Sequence, residues 1–310
     1  MKKCNHCNTK LFEDARFCHN CGKKVMETTI SCESCNVANP SSNQICFSCK
    51  VALPKNSKFQ YKTKFPLDFK ETSNLAAAIK KYFFEFFRER IEEEHDLKKQ
   101  EDFLQRFEKS ELGQKFDLRL NQLAEEAYII HAKQDGQVQR KVDQLLGRNF
   151  DQILDHFIIL EAKDLIDIPL KEEILSYNEL KHGEFDLQKM ILDFLDFENE
   201  DETYYIDFII MPVKKLKNAS QAFLFPEKDE KIMLIADQTV FGSCKEGFAL
   251  TEKGIYWKAH FEKAQQVLYK NLHTIKKEKD WISINGLFFN VNPSINLKML
   301  KLLKKLETVY

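Results

Sequence analysis

Between residues 75 and 87 the apolar positions fall on one helical face. Leu75, Ile79, Tyr82/Phe83 and Phe86/Phe87 follow the i, i+4, i+7, i+11 spacing, and Thr72-Ser73-Asn74 supplies N-cap residues just ahead. Phe84 widens the face, which predicts a well-buried helix. The same period resumes at Phe103, Leu104 and Phe107. It continues through Leu118, Leu123, Ala127 and Ile130, then Val138, Val142, Leu145 and Leu146, then Phe150, Ile153, Leu154 and Phe157, and last Ile174-Leu175. Gly113, Asp135-Gly136, Gly147, Pro169 and Gly183 punctuate it. This predicts an all-α domain of six or seven helices over residues 73–212.

From Val213 the period changes. Lys214 to Phe223 reads as a connecting helix closed by Pro226, and short segments of β character follow: 232–236, 248–251, 255–257, 267–269, 281–284 and 287–291. Thr251-Glu-Lys-Gly254 reads as a tight turn with glycine at a positive φ, and Asn285-Gly286 is the strongest short hairpin signal. Asn292-Pro293-Ser294 then opens a last helix with Ile295, Leu297, Leu300, Leu303 and Leu306 at helical spacing. Antiparallel strands closed by one C-terminal helix are the order of a pleckstrin-homology (PH)-like β-barrel. The stretch 239–257, with Gly247 and Gly254 at its turns and Phe248, Leu250, Ile255 and Trp257 alternating inward, resembles the hairpin signature of bacterial PH-like domains. That resemblance implies a PH-like domain over 213–310.

The first 53 residues carry no such pattern and are organised by cysteine. Cys4-x2-Cys7 is followed after ten residues by Cys18-x2-Cys21, and Cys32-x2-Cys35 after ten by Cys46-x2-Cys49. The halves share their internal spacing 28 positions apart, so a metal-binding unit is repeated. Each pair places two thiolates on one tight turn, and two pairs complete the four-sulfur tetrahedron that Zn²⁺ favours. Modules this small lack a hydrophobic core, so metal binding must supply folding energy, on the order of 10–16 kcal/mol per site. Phe17, Ile45, Leu11 and Val37 are candidates to cover the metals. The stretch resembles the double zinc-ribbon family of many bacterial proteins, with all eight cysteines on that family's ligand positions; Lys50 stands where glycine often follows the last one. Two structural Zn²⁺ are expected, in ribbons at 1–26 and 27–53. A closed four-thiolate shell has no open position, which excludes catalysis at those metals. His6 and His19 are not needed as ligands.

Charge adds a segregation that the net −1 hides. Residues 1–70 hold 12 Lys/Arg against 5 Asp/Glu, residues 71–212 hold 18 against 33, and residues 213–310 hold 17 against 10. These blocks read as three solvated surfaces; the alternatives are that the acidic middle docks transiently on the basic ends or that those ends meet an anionic partner. Residues 54–72 read as a linker, in which lysines alternate with Phe59, Tyr61, Phe65 and Phe69. The aromatics are expected to pin it to the neighbouring domain; lying on an anionic membrane or stacking on single-stranded RNA are the alternatives. No stretch reaches the roughly 20 apolar residues of a membrane span. With no apolar run behind Met1-Lys2-Lys3-Cys4, no secretory signal is read, and reduced paired cysteines point to the cytoplasm.

Signs of catalytic chemistry are sparse. His95, His131, His156 and His182 show no ligand spacing, and Glu92-Glu93-Glu94-His95-Asp96 reads as a solvated face. The acidic run from Asp193 to Glu202 lacks the alternation of a calcium loop. Gly242 to Gly247 precedes a strand where a phosphate loop needs a helix. Cys244 has no base partner and reads as a loop or core thiol. The expectation is a multidomain α+β protein: two zinc ribbons, a central all-α domain and a PH-like barrel, acting as a non-enzymatic adaptor or sensor for a protein partner. The resemblance suggests bacterial stress response or anti-phage defence as its setting. The alternatives are a nucleic-acid-binding protein using the basic head, disfavoured by the single arginine (Arg16) in 1–70, an enzyme with its site in the helical domain, and binding of an anionic membrane through Lys214, Lys215, Lys217 and the 276–279 run.

Overall fold

The computed structural model describes the backbone of residues 2–3, 10–11, 29–31 and 38–40, and from residue 63 onward 63–70, 74–95, 97–133, 137–178, 183 and 185–310. The chain forms two compact units, 1–62 and 63–310. In the first, β1 (Lys2–Lys3) pairs antiparallel with β2 (Lys10–Leu11), and β3 (Thr29–Ser31) with β4 (Ala38–Pro40). The eight cysteines, with Phe59 and Tyr61 of the linker, lie outside the described residues.

The second unit opens on a segment seated against helices. Phe65 is buried among the rings of Tyr82, Phe86 and Phe150, and the Lys64 and Phe65 amides donate to the Asp143 carboxylate at 2.8 and 3.0 Å. Phe69 stacks on His131 at 4.1 Å. These two aromatics therefore do pin the segment to the helices, as their apolar bulk dictates.

Four long helices follow: α1 (Leu75–Glu94), α2 (Gln100–Lys109), α3 (Glu111–Ala132) and α4 (Val138–His156). The α1 stripe Leu75, Ile79, Phe83, Phe87 and Ile91 is buried at four-residue spacing, so each residue sits about one turn above the last on a stripe that winds slowly around the helix. Phe83 sits at the centre of an aromatic core, its ring 4.3–6.0 Å from those of Phe87, Phe107, Phe116 and Phe150. Ser110 ends α2 and caps α3, its hydroxyl accepting from the Gly113 amide at 2.9 Å. After α4 a π turn (Phe157–Glu161), a 3-10 helix (Glu172–Tyr177) and α5 (Leu187–Leu195) complete the region. Among the described residues, five α-helices stand where the pattern predicted six or seven; Ile174-Leu175 belongs to the 3-10 turn.

A five-stranded antiparallel sheet runs in the order β5 (Thr203–Tyr205), β6 (Ile232–Asp237), β7 (Gly247–Thr251), β8 (Gly254–Lys258) and β9 (Gln265–Leu268). A three-stranded meander follows, of β10 (Ile275–Lys277), β11 (Ile282–Ile284) and β12 (Leu287–Phe289). No ladder joins the two sheets among the described residues, so the expected barrel is not closed. The β11–β12 turn has Asn285 and Gly286 at φ 53° and 83°, as an Asn-Gly hairpin requires. Gly254 serves otherwise than expected: its φ is not positive, but a Cβ there would lie 2.5 Å from the Val267 carbonyl oxygen. The glycine is needed because β8 and β9 approach closely.

The strands β6 to β8 are buried on both faces, which makes them near-continuously apolar. Leu234, Ala236, Phe248, Leu250, Ile255 and Trp257 join the core of α7 (Pro293–Val309) and α5. The alternate residues Ile235, Ala249 and Tyr256 meet Ala219 of α6 (Val213–Ala222) and Phe223 and Leu224 just after it. The Asn292 side chain caps α7, accepting from the Ile295 amide at 2.7 Å.

Phe83→Ala is expected to cost about 3–5 kcal/mol in urea unfolding, because the surrounding rings cannot collapse into the void. Leu118→Ala, on the exposed face of α3, should change stability by no more than about 0.5 kcal/mol.

Candidate functional site

The first unit repeats in structure as it does in sequence. β1 ends one residue before Cys4 and β2 begins three residues after Cys7, so the first knuckle is the connection of a two-stranded hairpin. β3 and β4 frame Cys32 and Cys35 in the same way. The register repeats too: Lys2 pairs with Leu11 and Lys3 with Lys10, while Ile30 pairs with Asn39 and Ser31 with Ala38, each 28 positions on. The donor set fits zinc, whose borderline-soft character suits thiolate sulfur.

Residues 4–50 match the double zinc ribbon family. The N-terminal head is thus a zinc-binding double ribbon. No curated protein matches the chain, and no solved structure does.

Among the described residues no group of three or more His, Cys, Asp or Glu is placed to hold a metal. Asp193, Asp196 and Glu200 of the acidic run are engaged by side chains within the fold. Asp193 accepts from the Tyr177 hydroxyl at 2.5 Å and from Lys189 at 2.9 Å, Asp196 pairs with Lys171 at 2.7 Å, and Glu200 with Lys298 at 2.6 Å. Cys244 lies buried under the β6–β7 connection, and burial, with the Asp237 carboxylate adding, pushes its thiol up to about 12. A thiol so protonated is a poor nucleophile. Of the lysines expected to face an anionic surface, Lys215 is already engaged, donating to the Tyr205 hydroxyl at 2.7 Å and pairing with Asp237 at 3.4 Å.

The second unit does contain a cleft of about 340 Å³, between α1, α4 and the C-terminal half of α7, with Phe194 of α5 on its wall. Its inner end is an ion-pair network. The Arg90 guanidinium contacts the carboxylates of Glu94 and Asp151 and reaches Asp155 at 2.5 Å; Lys301 of α7 reaches Glu94 at 3.0 Å and Asp155 at 2.9 Å. Lys304 pairs with Glu93 at 2.6 Å, and Lys305 donates to the Asn178 carbonyl at 3.0 Å. Burial alone would raise the Glu94 and Asp155 carboxyls. The neighbouring cations outweigh it, Arg90 and Lys301 foremost, and hold both below the usual carboxylate range. Burial likewise opposes the charge on Arg90, and Glu94, Asp155 and Asp151 more than restore it.

These shifts hold Arg90, Glu94 and Asp155 in their charged forms, whereas burial raises the Asp151 carboxyl in spite of the Arg90 guanidinium beside it. The inner end of the cleft is a clamp of ion pairs between helices. Glu93 and Glu94 do not form the solvated face that their sequence suggested. One turn of α1 carries them into the packing, and Glu94 is fully buried. Beside it the His95 ring stacks on Phe103 at 5.2 Å, and burial lowers its pKa to about 4.

Sequence reasoning missed Arg90, Glu94, Asp155 and Lys301. The available signal was Lys298 and Lys301 in a helix that is apolar nearly all round (Ile295, Leu297, Met299, Leu300, Leu302, Leu303, Leu306). A lysine in such a helix is buried and must meet a carboxylate.

Lys301→Met, which leaves two carboxylates short of a cation, should destabilise the protein by about 3–5 kcal/mol. Combining it with Glu94→Gln should cost less than the sum of the two single changes, a coupling that a double-mutant cycle by denaturant titration reads directly. His95 gives a pH signature. Its folded pKa lies below its unfolded value of 6.5, so its contribution is complete above pH 6.5 and is lost as pH falls toward about 4. Stability measured against pH should decline across that window, and His95→Leu should flatten this part of the decline.

Proposed function

We propose that this is a non-enzymatic, zinc-stapled interaction protein. Its double ribbon is a recognition head, and the unit from residue 63 onward is its scaffold. The observation that carries this reading is the pair of knuckle hairpins repeated in register over a family-matched stretch, since closed thiolate zinc modules serve recognition and folding. In this reading Cys4, Cys7, Cys18 and Cys21 hold one Zn²⁺ and Cys32, Cys35, Cys46 and Cys49 a second. Ribbons at 1–26 and 27–53 are followed by a linker over 54–72, a helical region over 73–212 and a PH-like region over 213–310. The PH-like reading is supported by the antiparallel order β6 to β12 followed by α7. A bacterial adaptor or sensor role in the cytoplasm fits these parts.

The excess of basic residues in 1–70 favours one second reading, a nucleic-acid-binding head. Two measurements separate the readings. Metal analysis of the purified chain should give two zinc ions, falling to one in Cys4→Ser/Cys7→Ser. Affinity capture from the source cells should then recover a defined protein with the intact chain and not with the zinc-depleted variant. Recovery of nothing by the intact chain would count against the proposal. Binding of labelled RNA or DNA that weakens steeply with salt would move it to the second reading.

A further inference from the structure

One end of the five-stranded sheet presents apolar side chains that are left exposed among the described residues. Val240 and Phe241, in the β6–β7 connection, are 92% and 98% exposed, and Phe261, in the β8–β9 connection, is 93% exposed. Antiparallel pairing brings both connections to the same end, because Asp237 lies opposite Gly247, Gly247 opposite Lys258, and Trp257 opposite Gln265. The first turns of α6 are tied there as well: Lys215 pairs with Asp237, and the Asn218 amide donates to the Ser243 carbonyl at 2.7 Å. They bring exposed Val213, with exposed Ile209 and Ile210 in the segment leading to it.

These tips are held in place. The Asp237 carboxylate accepts from the Thr239 amide at 3.0 Å, the Thr239 hydroxyl at 2.5 Å and the Cys244 amide at 3.1 Å. The Thr239 hydroxyl oxygen accepts in turn from the Ser243 amide at 2.6 Å. Cys244 takes φ 58°, turning its side chain into the core while Val240 and Phe241 point away. Phe261 itself sits at φ 60°, a conformation that costs any side-chain-bearing residue. His260 beside it reaches the Glu246 carboxylate at 2.9 Å, linking the two connections. A network of this kind fixes a shape, and the shape it fixes holds two phenylalanines out in water.

We propose that this end of the sheet docks on the surface of a lipid bilayer containing anionic lipid, with Val240, Phe241 and Phe261 inserted at the headgroup–acyl boundary. A protein partner would have to supply a pocket for each protruding side chain. The boundary of a bilayer accepts single protruding apolar groups without a matching pocket. Charge agrees. Lys214, Lys217, Lys245 and Lys263 are exposed in the same segments, against exposed Asp207 and Glu262, while Glu246 faces His260. No helix among the described residues is long and apolar enough to cross a membrane, so the contact is peripheral. The proposal is independent of the zinc reading.

Co-sedimentation of the full chain with vesicles tests it, using phosphatidylcholine alone and phosphatidylcholine mixed with phosphatidylglycerol. The chain should pellet with the mixed vesicles. Val240→Ser/Phe241→Ser/Phe261→Ser should bind at least tenfold more weakly with an unchanged melting temperature. Lys214→Glu/Lys245→Glu/Lys263→Glu should weaken binding as well. Phe241→Trp should show a blue-shifted emission on vesicle addition. A chain that stays in the supernatant with both vesicle types overturns the proposal, as does a triple-serine variant that binds like the parent. A dimer in sedimentation velocity that the triple-serine variant abolishes, with no vesicle binding, would assign the tips to self-association instead.

Discussion

The buried cations of α7 are the constraint on which the second unit depends. Lys298 and Lys301 have almost no exposed surface, and each must find a carboxylate within reach or lose its charge. Lys301 finds Glu94 and Asp155, which belong to α1 and α4; Lys298 finds Glu200, just ahead of β5. The last helix of the chain is thereby tied to the first helix of its unit, more than 200 residues earlier in sequence. Apolar packing around α7 is non-directional and would tolerate rotation of the helix about its axis. The ion pairs do not, and they set the register of α7 against α1 and α4.

That arrangement makes the helices and sheets one body. The core containing Ile174, Met190, Ile191 and Phe194 also contains Leu234, Phe248, Trp257, Leu300 and Leu303, so apolar packing runs across the change from helical to β patterning near residue 212. Residues 4–50, which match the double zinc ribbon family, lie in the other unit, where the described residues form two-residue and three-residue strands paired as hairpins.

How much of this was legible in the sequence depended on whether the determining interactions were local. The α1 stripe, the Asn285-Gly286 turn and the cysteine spacing were readable because each signal lies within a few residues of its effect. β5 and β10 were missed because their extended form is set by partners elsewhere, Ile235 to Asp237 for β5 and Ile282 to Ile284 for β10. Glu92 to Asp96 looked like a solvated run because charge normally faces water, and of the two cations that hold Glu94, Arg90 lies one turn back on α1 but Lys301 lies on the last helix of the chain. Gly254 was assigned to the right turn for the wrong reason, since the close approach of β9 cannot be read from the turn's own residues. The barrel was inferred from strand order, which fixes neighbours within a sheet and leaves closure between sheets undetermined.

Native-state hydrogen exchange tests the unity of this body most directly. If α7 is the tie between helices and sheets, the amides of Leu297 to Leu306 should open with the same free energy as those of Phe83 to Ile91 in α1, and Lys301→Met should lower both together. Exchange of α7 and the sheets at a lower free energy than α1, with Lys301→Met affecting only the former, would contradict it.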